Sequence, residues 1–329
     1  MRVVFLGTPE FAVPSLEALL GEGFDVVAAV TQPDRPHGRS RSTAVPPPVK
    51  VAAAAEGVPV IQPARPSEPA FVARMRELAP DVGVVVAYGH ILHPELLAIP
   101  KYGMLNVHPS LLPELRGAAP IEWAIINGLE KTGVTIMQMD KGLDSGPILH
   151  QIPHHIDRDV TAGELSEHLS EMGALALVET LSLLAQDGGA GRGEGGEGGE
   201  GGGGGGGGRK ARPQDHARAT YAPKLTRETA RIRWTDPADQ IARAIRGLDP
   251  KPGAWTELDG REVKLFGARV MEGGGDGAPG EIRTTDDGLR ITTGRGAVEV
   301  EEVQPAGKPR MPAADWVRGR GVKTGGRFT

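Results

Sequence analysis

No cysteine occurs in the 329 residues. That excludes disulfides, thiolate metal sites and cysteine nucleophiles, and it is compatible with a reducing compartment. Nor is there an unbroken apolar run of the roughly 18 residues that a membrane helix needs. Met1-Arg2 leads straight into a strand-like stretch rather than into an apolar leader, so a cytoplasmic protein without a membrane partner is expected. Gly7-Thr8-Pro9-Glu10 follows the first strand-like run, where a dinucleotide fold would place G-x-G-x-x-G, but the second and third glycines are missing. A nicotinamide cofactor is not expected. His90, His93, His150, His154 and His155 come with no H-E-x-x-H and no cysteine ligand, so no metal site is expected either.

What is present divides the chain in two. The net charge is −5, yet residues 209 to 329 hold 23 Lys and Arg against 17 Asp and Glu. A basic half of this kind fits contact with a polyanion, or an ordinary solvated surface. Residues 188 to 208 are almost all glycine, with Glu194, Glu197 and Glu200 interspersed. They have nothing to bury and much backbone entropy to lose, and read as a flexible linker of about 25 Å r.m.s. span. The expected domains are therefore 1–187 and 209–329.

In the first domain strand-like and helix-like runs alternate. Strands are expected at Arg2 to Leu6, Asp25 to Thr31, Val58 to Ile61, Val82 to Ala87, Met104 to His108 and Val134 to Asp140. Helices are expected from about Pro14, from Pro46, at Ser67 to Leu78 and at Ala118 to Asn127, and a long one at 161 to 186 with Leu165, Leu169, Leu175 and Leu181 among its apolar positions. The rhythm is that of an α/β, Rossmann-like, mostly parallel sheet. The second domain reads as five short strands, at Ala254 to Leu258, Val263 to Val270, Glu281 to Thr284, Leu289 to Thr292 and Ala297 to Val303, with a helix at Pro237 to Leu248. That pattern suggests a small OB-like β-barrel.

The chemistry concentrates in Asn106-x-His108, followed by Ser110-Leu111-Leu112-Pro113 and, 36 residues after the histidine, by Asp144. On a strand Asn106 and His108 share a face, because side chains alternate. A carboxamide can donate to a developing oxyanion, and an imidazole can polarise the same oxygen or move a proton. Asp144 stands in Lys141-Gly142-Leu143-Asp144-Ser145-Gly146, a turn that allows a carboxylate to point inward. Such a set is suited to acyl transfer to an amine. Read structurally, the same residues are two turn formers and a histidine satisfied by a carbonyl. Pro33 to Pro48 interrupts the alternation with a basic, proline-rich loop carrying Arg35, Arg39 and Arg41. These arginines can contact phosphates or stack on bases, or the loop is only a solvated surface.

The motifs together resemble the methionyl-tRNA formyltransferases. The resemblance rests on Gly7-Thr8-Pro9-Glu10-Phe11-Ala12, Thr31-Gln32-Pro33-Asp34-Arg35-Pro36, Val86-Ala87-Tyr88-Gly89, Asn106-Val107-His108-Pro109-Ser110-Leu111-Leu112-Pro113 and Arg116-Gly117-Ala118-Ala119-Pro120-Ile121. It continues through Gly133 to Asp140, Thr220-Tyr221-Ala222-Pro223-Lys224-Leu225 and Gln304-Pro305-Ala306-Gly307-Lys308. It implies formyl transfer from 10-formyltetrahydrofolate, with no metal, to the α-amino group of initiator methionyl-tRNA for translation initiation. By that resemblance Asn106, His108 and Asp144 are catalytic. Ser110, Leu111, Leu112 and Pro113, together with Val86, Ala87, Tyr88, Gly89 and Leu92, line the folate site. Arg35, Arg39, Arg41 and Lys224 meet tRNA. A monomer is expected. A formyltransferase acting on a small amine would use the same catalytic set without needing a basic barrel, and a non-catalytic tRNA- or folate-binding protein would not need all three catalytic positions filled. Two positions depart from the family pattern: Arg233 stands where an aspartate is usual, and Asp249-Pro250-Lys251-Pro252 replaces the common Asn-Pro-Trp-Pro.

Overall fold

The structure, a computed structural model, describes residues 1–37, 43–190, 211–271, 273, 275, 277–285 and 288–329. The chain forms two compact units, one of residues 1–116, 133–153 and 167–220, the other of 117–132, 154–166 and 221–329.

The first unit is built on a seven-stranded sheet of β1 (Arg2–Gly7), β2 (Asp25–Val30), β3 (Val60–Ile61), β4 (Val82–Val86), β5 (Met104–His108), β6 (Lys131–Gln138) and β7 (Ile148–His155), in the order β7-β6-β5-β4-β1-β2-β3. The pairs β1/β2, β1/β4, β2/β3 and β4/β5 are parallel, while β6 runs antiparallel to β5. Val3, Val4, Phe5 and Leu6 are consecutive and fully buried, as expected for a parallel strand covered on both faces. The helices α1 (Val13–Gly21), α2 (Pro48–Ala55), α3 (Pro69–Leu78), α4 (Pro94–Leu97) and, in the second unit, α5 (Pro120–Ile126) all carry proline in their first turn. There its missing N–H is no loss and its fixed φ suits the helix.

Three features differ from the sequence expectations. The edge strand β7 was not anticipated, because Ile148 to His155 shows no two-residue alternation and contains Pro153, which suits an edge and not a sheet centre. The long helix α6 (Ala162–Ala190) buries Leu165, Leu169, Leu177 and Leu181, but Leu175 is 70% exposed. Six residues after Leu169 is about a third of a turn away from that apolar face. Helix α6 also runs to Ala190, into the segment read as a linker, since propagation past an anchored face is easy once a helix exists. Residues 191–208 of that segment lie outside the described residues. The expected basic loop begins and ends as a strand pair, Arg35–His37 against Thr43–Val45; Arg39 and Arg41 lie outside the described residues.

The second unit is an antiparallel sheet of β8 (Ala254–Leu258), β9 (Arg261–Met271), β10 (Ile282–Thr284), β11 (Leu289–Thr292) and β12 (Ala297–Pro305), in the order β8-β9-β12-β11-β10, with β13 (Met311–Pro312) beside β12. The tail bridges both edges. Gly326 O accepts from Ile282 N at 2.8 Å, Phe328 N donates to Gly280 O at 2.9 Å, and Thr329 exchanges both backbone bonds with Glu257 of β8 at 3.0 and 3.1 Å. Phe328 is buried and stacks on Trp234, ring centroids 5.6 Å apart. Helix α7 (Ala238–Gly247) turns Ile241, Ala242 and Ile245 into this core. It ends against α5, where a Cβ on Gly247 would lie 2.7 Å from Ile126 Cγ1 and 3.0 Å from Glu122 O, so glycine permits the approach. The short helix α8 (Ala313–Arg318) follows β13. Of the two departures, exposed Arg233 pairs with Asp236 at 3.1 Å. Asp249 is buried, bonded by Arg310 at 2.7 and 3.3 Å and by Gly267 N at 3.2 Å. Its carboxylate is thus used within this unit.

Candidate active site

Strand β5 delivers the site. It lies parallel to β4 with Val85 opposite Asn106, so the carboxyl ends of the two strands emerge side by side. In open α/β sheets this end is where ligands are held. Strand alternation places Asn106, half-buried, on the face that carries His108. His108 is almost wholly buried, its Nε2 3.0 Å from Leu115 O. A carbonyl only accepts, so Nε2 carries the proton and Nδ1 is left to face Asp144, whose Oδ2 is 3.8 Å away. That separation is too long for a direct hydrogen bond and short enough for strong electrostatic coupling. Burial holds the imidazole below the usual histidine range, while the Asp144 charge and the Leu115 carbonyl act in the opposite direction. Both readings of the sequence therefore meet here: one ring nitrogen is satisfied by a carbonyl and the other looks at a carboxylate.

The turn after β5 is tied down by hydrogen bonds. Ser110 Oγ donates to Glu114 O at 2.6 Å. Thr135 Oγ1 donates to Ser110 O at 2.6 Å and accepts from Leu112 N at 3.1 Å, and Gln151 Nε2 donates to Leu112 O at 2.9 Å and to Thr135 Oγ1 at 3.0 Å. Leu111 and Pro113 remain partly exposed, and the Leu112-Pro113 peptide is cis. In the 86–92 loop Val86 ends β4 fully buried, and Ala87 and Gly89 have positive φ of 46° and 81° and face outward. Tyr88 and Leu92 instead join the apolar core with Val4 and Leu6. The Tyr88 hydroxyl is buried without a hydrogen-bond partner among the described residues, its pKa pushed up to about 12 by burial, and the Tyr88 carbonyl accepts from Thr8 Oγ1 at 3.1 Å and Gln32 Nε2 at 2.9 Å. What this loop can offer a ligand is mainly backbone.

Arg35 is exposed at the base of its strand pair, and Lys224 is exposed in the second unit. Sequence reasoning assigned no role to Thr135, Gln151, Arg116 and Gln214, which brace the site. Only their bonding partners, brought close by folding, reveal them.

The Formyl transferase family model matches residues 1–181, and that of the Formyl transferase C-terminal domain matches residues 224–321. The methionyl-tRNA formyltransferase of Geotalea uraniireducens is 45% identical over 326 residues, covering 99% of this chain and 97% of its own. That of Roseiflexus sp. is 46% identical over 330 residues, with 100% and 95% covered. The chain belongs to the methionyl-tRNA formyltransferase family. Solved structures reproduce the fold at low identity. An N-formyltransferase from Helicobacter canadensis, in complex with folinic acid and dTDP-3-aminofucose, has a TM-score of 0.67 at 17% identity, covering 93% of this chain and 99% of its own. HypX from Aquifex aeolicus in complex with tetrahydrofolic acid has a TM-score of 0.66 at 20% identity, with 98% of this chain and 48% of its own covered. At such identity the family's fold alone is shared.

Proposed function

We propose that this chain transfers the formyl group of 10-formyltetrahydrofolate to the α-amino group of initiator methionyl-tRNA, supplying formylmethionyl-tRNA for translation initiation. The observation that carries this reading is the full-length match to methionyl-tRNA formyltransferases. Residues 1–187 hold the folate and the chemistry; residues 209–329, of which 221–329 form an OB-like barrel whose edges the tail joins, hold the tRNA, and the chain acts as a monomer in the cytoplasm.

In the reaction the neutral methionyl nitrogen attacks the formyl carbon; as the oxyanion collapses, the formyl C–N10 bond breaks and N10 of the folate leaves carrying the proton that the amine gave up. Asn106 donates its side-chain N–H to the oxyanion. His108 adds Nδ1–H to the same oxygen when its ring is charged, since Nε2 is committed to Leu115 O. Asp144 favours that charged ring and takes the amine proton, directly or through water. Ser110, Leu111, Leu112 and Pro113, with Val86, Ala87, Tyr88, Gly89 and Leu92, shape the folate site, the last group chiefly through its main chain. On the tRNA side act Arg35, Arg39, Arg41 and Lys224. Arg231, 5.1 Å from the Trp255 ring, adds positive charge on the second unit, while Arg227, 4.2 Å from the same ring, is paired with Glu262 at 2.7 Å.

The test supplies 10-formyltetrahydrofolate with charged initiator tRNA, free methionine, glycinamide ribonucleotide or an amino sugar nucleotide, and follows formyl incorporation. Incorporation confined to the charged tRNA is expected; equal or better transfer to a small amine rejects the reading. Arg39→Ala should weaken tRNA engagement and flatten its dependence on log salt by about one unit of slope per phosphate contact, with folate binding unchanged. An unchanged slope removes that arginine from the tRNA surface.

A further inference from the structure

Asp144 is held in an uncommon conformation. Its φ is +46°, a left-handed region uncommon for residues with a Cβ though most accessible, among them, to Asp and Asn. Part of the restraint is local: Asp140 Oδ1 accepts from Gly142 N at 2.9 Å, and Ser145 Oγ donates to the same carboxylate at 2.9 and 3.0 Å. At Gly146 a Cβ would collide with the Gln138 carbonyl. The rest comes from 70 residues further along the chain. Gln214 Nε2 donates to Asp144 O at 2.9 Å and to Gly146 O at 2.7 Å. Its Oε1 accepts from Arg116 Nε at 3.1 Å and Nη2 at 2.6 Å, and Arg116 Nη2 lies 3.1 Å from His216 Nδ1. Gln214 and Arg116 are 6% and 4% exposed.

We infer that Gln214 is a positioning residue for Asp144, fastened by Arg116 and in turn fixing the turn that aims the carboxylate at His108. A primary amide suits this place because it presents two N–H donors to two carbonyls and an oxygen to a guanidinium at once. A carboxylate would keep the Arg116 contact and set its second oxygen against the carbonyls of Asp144 and Gly146. Gln214 lies between the stretches that the two family models match, residues 1–181 and 224–321, and the chain brings it to the turn from the segment that follows the glycine run. The inference rests on the catalytic reading of Asp144 given above.

The test is a kinetic cycle in the full chain, with formyl transfer to methionyl-tRNA as the readout. Gln214→Glu and Gln214→Ala should each lower kcat by about 10- to 100-fold, the scale of a small misplacement of a reacting group, with KM for folate and for tRNA within about twofold. In an Asp144→Asn background the same replacements should cost less than about twofold, because residues that act through one group are not additive. Equal losses in both backgrounds, or an unchanged kcat, overturn the inference. So does a loss of activity that follows only from unfolding in every variant at 214. The reading of Asp144 itself fails separately, if Asp144→Asn alone keeps the original kcat.

Discussion

The two units treat buried polarity in opposite ways. In the first, polar side chains of β6, of β7 and of the segment after the glycine run are spent on loops: Thr135 and Gln151 on the turn of Ser110 to Pro113, and Gln214 on the turn of Asp144. In the second, buried polar groups are bonded inside the unit itself: Asp249 by Arg310, Arg246 of α7 to Ala268 O, and Thr256 by Trp234, beside an apolar cluster that holds Phe328. The difference teaches what each architecture is for. A parallel sheet delivers several strand ends to one place, so rigid loops there can hold reacting groups. An antiparallel sheet whose edges are joined holds itself and leaves its outside available for charge.

Four changes break or sharpen the contrast. Phe328→Ala should destabilise the second unit by about 3–5 kcal/mol, the range for emptying a buried aromatic site, seen in denaturant unfolding; a shift below about 1 kcal/mol would mean that the joined edges matter little. Asn106→Ala should lower kcat by about 10²- to 10³-fold, the usual loss for one oxyanion donor, while the melting temperature stays; an unchanged turnover removes Asn106 from the chemistry. Asp144→Asn should lower the His108 pKa further, because the carboxylate is what favours the charged ring against burial. An NMR titration of the ring reads this directly, and a rise would contradict the geometry. The corresponding stability term has a fixed sign: a histidine held below its unfolded pKa costs folding free energy as pH falls through the unfolded value, about 6.5. Smallest of all, Tyr88→Phe should keep or raise stability by about 1 kcal/mol, since the hydroxyl it removes is buried without a partner among the described residues. Destabilisation would place a bonding partner at that oxygen.

Much of the fold could be read in advance because the period of burial repeats along the chain. Val82 to Val86 and Ile241 to Ile245 declare themselves by run or by spacing. The strand Ile148–His155 did not, its alternation broken by Pro153 and three histidines, and Leu175 misled because a leucine count ignores where the helix turns. At the candidate site, the shared strand face of Asn106 and His108 was legible from alternation, and the turn that holds Asp144 from its glycines. Thr135, Gln151, Arg116 and Gln214 were not, since a bracing residue is defined by its partner and nothing in its own neighbourhood names one.

Composition and local order thus determined by themselves that a chain without cysteine would build an alternating α/β region and a basic, strand-rich second half, and which residue types could do acyl chemistry. Tertiary structure alone decided that the His108 ring is buried with one nitrogen on Leu115 O and the other toward Asp144, that the tail touches both edges of the second sheet, and that Gln214 reaches the Asp144 turn. The physical reason is range: backbone preference and side-chain period act over a few residues, whereas burial, charge coupling and the pairing of distant polar groups exist only once the chain has closed on itself.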